Sequence, residues 1–366
     1  MILKGKYNSA KVFIDEIEVS AEKQIIELLN QEFTEGLKIR IMPDVHLGVG
    51  SVIGTTMEIK DKVVPNLVGV DIGCGLIVTK LKERSIDYKK LDETIRQEIP
   101  SGFKVRNISH KNSKLINLEE LRSKVALDLK RAYLSIGTLG GGNHFIEVNK
   151  NENNEKYLVI HSGSRHLGLQ VANYYQKKAF QYAKRNNIDI SRDLAYLTGE
   201  DMEDYLHDMK IIQAFASLNR QTMAQIIIDK MKFNIVEQFQ TIHNYIDVKA
   251  MILRKGAVRA LKDEKFIIPF NMADGSVILK GKGNPDWNYS APHGAGRVMS
   301  RNYARKNLKL SDYQKEVSHL YSTSISVATI DEAPMAYKDP QDILKHLTET
   351  AEILETLKPV YNFKAK

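Results

Sequence analysis

Apolar residues in this chain fall into short dense runs in some stretches and recur at helical spacing in others. Leu37–Ile41, Val52–Glu58, Leu76–Leu81 and Tyr157–Ile160 are short, β-branched and apolar, and read as strands. Leu118–Tyr133 and Leu169–Arg185 repeat apolar positions three and four apart and predict amphipathic helices. Glu200–Lys232 keeps that spacing without a proline, which fits one long helix or a helical hairpin. Asp339–Leu357 predicts a closing helix with Pro340 in its first turn, where a missing N–H costs nothing. Strands and helices intermingle without clean βαβ alternation. The expected fold class is therefore mixed α+β, with central β-sheets flanked by helices and the active site on strand ends and loops. No repeat, low-complexity tract or flexible linker divides the chain, so residues 1–366 are read as one domain.

Composition narrows the class. A chain of 366 residues can bury an ample core. No run of 18 apolar residues occurs, so no membrane span is expected, and Met1–Tyr7 lacks the apolar core of a signal peptide. A single cysteine excludes an intrachain disulfide, and a reducing cytoplasm is the expected compartment. The net charge of +8 permits a polyanionic partner without proving one. Arg297, Arg301 and Arg305, spaced by four, would share one helix face, extended by Lys306 and Lys309. The clusters Lys104/Arg106/Lys111/Lys114 and Lys177/Lys178/Lys184/Arg185 read as solvated faces.

Candidate chemistry gathers around glycine-rich turns. Asp71 and Cys74 stand three apart in Val70-Asp71-Ile72-Gly73-Cys74-Gly75, and His144, His161 and His243 follow in similar polar settings. These five donors are too many for one tetrahedral ion with an open position, whereas two ions bridged by the cysteine sulfur would use them well. A thiolate–imidazole set favours zinc, and the added carboxylate also admits Mn²⁺. Gly140-Gly141-Gly142 would let backbone N–H groups approach an anion. Glu147 either lies in solvent or accepts from guanine N1–H and N2–H, a pair adenine does not offer. His293, between Pro292 and Gly294, is presented as a nucleophile or general base, and Arg297 four residues on could neutralise phosphate charge.

Seven blocks follow one another along nearly the whole chain. They are Asp71-Ile-Gly-Cys-Gly75, Gly140-Gly-Gly-Asn-His-Phe-Ile-Glu147, His161-Ser-Gly-Ser-Arg165, His243-Asn244, Arg254-Lys-Gly-Ala257, His293-Gly-Ala-Gly-Arg297 and Asp331-Glu-Ala-Pro-Met-Ala-Tyr-Lys-Asp339. This set resembles the RtcB family of RNA-splicing ligases, in a short bacterial form. The resemblance implies joining of RNA ending in a 2′,3′-cyclic phosphate or 3′-phosphate to RNA with a 5′-hydroxyl, using GTP and two Mn²⁺ ions. It implies metal ligation by Asp71, Cys74, His144, His161 and His243, with Cys74 bridging, and guanylylation of His293. It also implies nucleotide contacts from Asn143, Glu147 and Lys338, a phosphate contact from Arg165, and a part for Asp44 in the sealing step. The stretch Ile267–Ser276 departs from the family's Pro-Gly-Ser-Met-Gly-type loop, leaving Asn271 or Ser276 to take its place. A monomer is expected, with room for an accessory protein. The alternatives are a metal-dependent phosphoesterase acting on RNA ends and a non-catalytic RNA-end binding protein.

Overall fold

Two sheets carry the chain in the computed structural model, which describes residues 1–365. The six-stranded sheet runs in the order Ile2–Lys4, Ser9–Val12, Ile39–His46, Ile53–Glu58, Ile252–Lys255, Asn244–Asp247. Only Ser9–Val12 and Ile39–His46 pair in parallel within it. The seven-stranded sheet is antiparallel throughout, in the order Ile235–Ile242, Gly75–Leu81, Lys156–Ser162, Phe145–Lys150, Ala351–Lys364, Gly275–Gly281, Lys265–Asn271. Every residue of Lys156–Ser162 is buried, which explains an unbroken apolar run where a half-solvated strand would alternate. The architecture is the expected α+β mixture.

All four predicted strands form, each shifted or extended by a few residues. Arg165–Arg185 is a helix, and Gly199–Met231 is one helix of 33 residues rather than a hairpin. The second half of the latter is buried on most sides, where the seven-stranded sheet and a second helix pack on it.

Two predicted helices are corrected. Leu118–Tyr133 breaks into the 3₁₀ turns Leu118–Glu120 and Lys124–Ala126 and the short helix Leu129–Ser135. The cause is the buried Asp208 carboxylate, which accepts hydrogen bonds from the Arg122 and Ser123 N–H groups and so draws the backbone out of a helical path. Asp339–Leu357 is α-helical only over Pro340–Leu344, followed by the 3₁₀ turn Leu347–Glu349, and the strand Ala351–Lys364 begins within it. Leu357, Pro359 and Tyr361 are buried in alternation with the more open Lys358 and Val360, which is a strand period, and Tyr361–Lys364 is then buried throughout. It fills the gap between Phe145–Lys150 and Gly275–Gly281.

Midway along the long helix, two buried polar residues tie down the loops that open the site. Asn219 Oδ1 accepts from Gly137 N–H at 2.8 Å and Thr138 N–H at 3.0 Å, while its Nδ2 donates to Thr138 O at 3.1 Å and Gly163 O at 3.2 Å. Arg220 Nη1 donates to Gly73 O at 2.7 Å and Ser162 O at 2.8 Å. Removing a side chain so placed strands several buried backbone groups. Asn219→Ala is therefore expected to lower unfolding free energy by about 2–4 kcal/mol in urea titrations; a loss under about 1 kcal/mol would show that the loops hold themselves.

Candidate metal centre and nucleophile

Four adjacent strands of the seven-stranded sheet end at one place. Gly75 pairs with Ile242 and Ser162, and His161 pairs with Leu76 and Phe145. This register brings Cys74, His243, His161 and His144 together at a single sheet end. Asp71 joins them from the turn before Cys74. No side chain fits at Gly163, because a Cβ there would strike the Asp71 carboxylate.

The donor atoms are close and their lone pairs converge. His144 Nδ1 faces the Leu139 carbonyl at 2.8 Å and His161 Nδ1 faces that of Asn143 at 3.3 Å. A carbonyl only accepts, so both Nδ1 atoms carry the proton and both Nε2 atoms present lone pairs. Those Nε2 atoms lie 3.5 and 3.3 Å from Cys74 Sγ. His161 Nε2 is 3.1 Å from His243 Nε2, and His144 Nε2 is 3.0 Å from Asp71 Oδ2. Two overlapping groups result, Cys74/His161/His243 and Asp71/Cys74/His144, with Cys74 common to both. Donor spacings of 3.0–3.5 Å come near the edges of about 3.3–3.8 Å that metal bonds of about 2.0–2.3 Å make in a tetrahedron. The residues thus fit two ions sharing one sulfur.

Electrostatics points the same way. Burial holds His161 and His243 well below the ordinary imidazole range, so both stay neutral. Burial pushes the Cys74 thiol up, and the Asp71 carboxylate pushes it further, with the buried Arg220 opposing them. A thiol in that setting needs a bound cation to ionise.

His293 lies beside this cluster, its ring centroid 4.8 Å from that of His243. It follows the short strand Ser290–Pro292, and Asp44 comes from Ile39–His46 in the other sheet. The fully buried Asp44 Oδ2 accepts from His293 Nδ1 at 2.6 Å and from the His293 backbone N–H at 3.0 Å. Nδ1 is thereby protonated and Nε2 left with its lone pair. Asp44 contacts His293 rather than the Cys74 cluster.

A cavity of about 680 Å³ spans both groups, and Asn143, Glu147, Ser276 and Arg297 line it. Glu147 is buried, which raises its carboxyl to about 7 against the pull of its hydrogen bonds from Asn362 and Asn149. Asn271 also lines the cavity, but its side chain is tied to Ala273 and Asp274, whereas the buried Ser276 Oγ has no partner among the described residues. Arg165 and Lys338 stand outside the walls. Arg165 Nη2 donates to Gly102 O at 2.7 Å and its Nε to Thr138 Oγ1 at 3.1 Å, while Lys338 Nζ donates to Val45 O at 2.8 Å.

The arginine row differs from its expected form. Arg301 and Arg305 lie in the helix Arg301–Asn307, but Arg297 precedes it. All three turn inward to Asp331 and Glu332: Arg301 Nη1 is 2.8 Å from Asp331 Oδ2, Arg305 Nη2 3.2 Å from the same oxygen, and Arg297 Nη2 donates to Asp331 O at 2.7 Å. Asn362 and Lys364, on the strand read as a helix end and beyond, also line the cavity. Their signal was the alternation of polar residues with Tyr361 and Phe363. The clamp Asn219-Arg220 was likewise legible as a polar pair inside an apolar helix.

A buried two-group donor set lies beside an aspartate-held histidine, a candidate metal site next to a candidate nucleophile. Residues 33–365 match the family described as tRNA-splicing ligase RtcB. The RNA-splicing ligases RtcB1 and RtcB of two Escherichia coli strains are each 33% identical over 94% of this chain and 94% of their own length. The tRNA-splicing ligase RtcB of Aeropyrum pernix is 28% identical over 96% of this chain and 94% of its own. The chain belongs to the RtcB family. No helix among the described residues is long and apolar enough to cross a membrane.

Burial holds the His46 imidazole, another lining group, down at about 4, with the Asp44 carbonyl only partly opposing. In the unfolded chain it titrates near 6.5. Its contribution is therefore complete above pH 6.5 and is lost as the pH falls towards 4. Urea melts at stepped pH should show the wild type losing more stability over that window than His46→Gln; parallel curves would rule His46 out as the group responsible.

Proposed function

We propose that this protein is a GTP-dependent RNA ligase that joins RNA ending in a 3′-phosphate or 2′,3′-cyclic phosphate to RNA with a 5′-hydroxyl, using two Mn²⁺ ions. The observation that carries the reading is an imidazole fixed by Asp44 beside five metal donors, on the wall of a cavity of nucleotide size. The family, and the RNA-splicing names of its members, support it.

His293 is the nucleophile. Asp44 keeps the proton on Nδ1, so Nε2 attacks the α-phosphorus of GTP; an N–P bond forms and pyrophosphate leaves. Positive charge then develops on a ring whose partner is a buried carboxylate, which stabilises it. The guanylyl group passes from His293 to the RNA 3′-phosphate, restoring the imidazole, and the 5′-hydroxyl of the second strand attacks that RNA phosphorus with loss of GMP. A cyclic end is first opened by water. Mn²⁺ held by Asp71, Cys74, His144, His161 and His243 would supply neutralisation of phosphate charge. Glu147, with Asn143 and Ser276 in the same cavity, accepts the N1–H and N2–H of guanine. Its raised carboxyl favours a ligand that brings donors.

Intact-mass measurement of metal-loaded protein after exposure to GTP should reveal a gain of one GMP. ATP should give none, and His293→Ala should give none with either. A GMP adduct persisting in His293→Ala would remove this histidine from the role, and no adduct in the wild type would favour the phosphoesterase.

Asp44→Asn can donate to Nδ1 and so stabilise the wrong tautomer. It should slow adduct formation by about 10²–10⁴-fold in a quenched time course. A change below about tenfold would mean that Asp44 does not set the proton on His293.

A further inference from the structure

Between Ser101 and Leu115 the chain carries four Lys or Arg residues and no Asp or Glu. Phe103, within it, is 94% exposed. The backbone beneath that ring is nonetheless firmly held. Arg131 Nη2 donates to Phe103 O at 2.8 Å, Arg165 Nη2 to Gly102 O at 2.7 Å, and Gly102 N–H to Gly140 O at 2.8 Å. Burying such a ring would ordinarily stabilise a fold, so a ring fixed in water calls for another explanation.

The turn is also joined to the metal donors. Gly140 receives the Gly102 N–H, and the preceding carbonyl, Leu139 O, orients His144. No side chain fits at Gly140, where a Cβ would strike the Arg165 guanidinium. Beyond it the loop is bare: a Cβ on Gly142 would meet nothing within 4 Å, and one on Gly141 only Gly102 Cα at 3.8 Å. An open strip of backbone thus runs from Phe103 to His144. Lys104, Lys111 and Lys114 form no ion pair among the described residues, while Arg106 is taken up by the carbonyls of Glu98, Ile136 and Gly137.

An exposed aromatic ring, unpaired cations and an uncluttered backbone path are what single-stranded nucleic acid requires, stacking supplying contact with any base and lysines meeting phosphates. Phe103 shares this segment with the exposed Ile108 and Leu115, spaced five and seven residues apart among lysines, and such scattered residues make a small apolar area for a protein partner. We propose that this surface holds the last nucleotides of a single-stranded RNA whose phosphorylated 3′ end lies at the metal donors, with one base stacked on Phe103. The proposal rests on the ligase reading above.

Fluorescence anisotropy with a short labelled RNA bearing a 3′-phosphate, on metal-loaded protein, tests it. Phe103→Ala should weaken binding about tenfold and Phe103→Trp should restore it. Replacing Lys104, Lys111 and Lys114 together by Gln should flatten the slope of log affinity against log salt by about 2. GMP adduct formation should be unchanged in each variant, which also reports that each is folded. Unaltered RNA affinity in Phe103→Ala, with the adduct intact, would overturn the platform alone and leave the ring as a protein contact. Absence of the adduct from the wild type would instead count against the ligase reading, while a Phe103-dependent loss of RNA affinity in that same protein would keep the platform standing.

Discussion

Everything around the cavity is arranged about one sulfur atom. Cys74 Sγ lies within 3.5 Å of two imidazole nitrogens and belongs to both donor groups. In a dry setting such a gathering of lone pairs is repulsive unless a cation sits among them. The protein therefore has to hold the donors in place by other means. It does so with carbonyls that fix the imidazole tautomers, with the register of four strands, and with Asn219 and Arg220 from the long helix. The sheet supplies position and the helix supplies rigidity.

The two sheets divide the labour. The seven-stranded sheet contributes the donor cluster, whereas the strand carrying Asp44 belongs to the six-stranded sheet. Asp44 meets His293 at their junction, so His293 is oriented from one side and the donor cluster is assembled from the other. The geometry between them depends on how the sheets pack, which extends the set of residues that matter well beyond those that touch the cavity.

Much of this was legible in the sequence. The strand runs were apolar enough to be seen, and Asp71, Cys74, His144, His161 and His243 announced themselves as donor types in glycine-rich turns. What escaped depended on partners distant in sequence. The Leu118–Tyr133 segment has a helical pattern, but Asp208 competes for its N–H groups from far along the chain. The apolar residues of Ala351–Lys364 suit either period until the two strands it joins are known. Arg297, Arg301 and Arg305 look like a free basic face; only the fold shows Asp331 and Glu332 beneath them. Phe103 gave no signal at all, since exposure is not written in residue type.

The late strand Ala351–Lys364 has a consequence for how the protein comes into being. It lies between Phe145–Lys150 and Gly275–Gly281, and it supplies Asn362 and Lys364 to the cavity wall. On a ribosome, the donor strands emerge long before this one. A nascent chain can gather its donor cluster while the cavity is still missing a wall and two sheet edges are unpaired. Until residues 351–364 are made, the growing polypeptide is exposed to edge-to-edge association, and a fully walled cavity is among the last features it acquires.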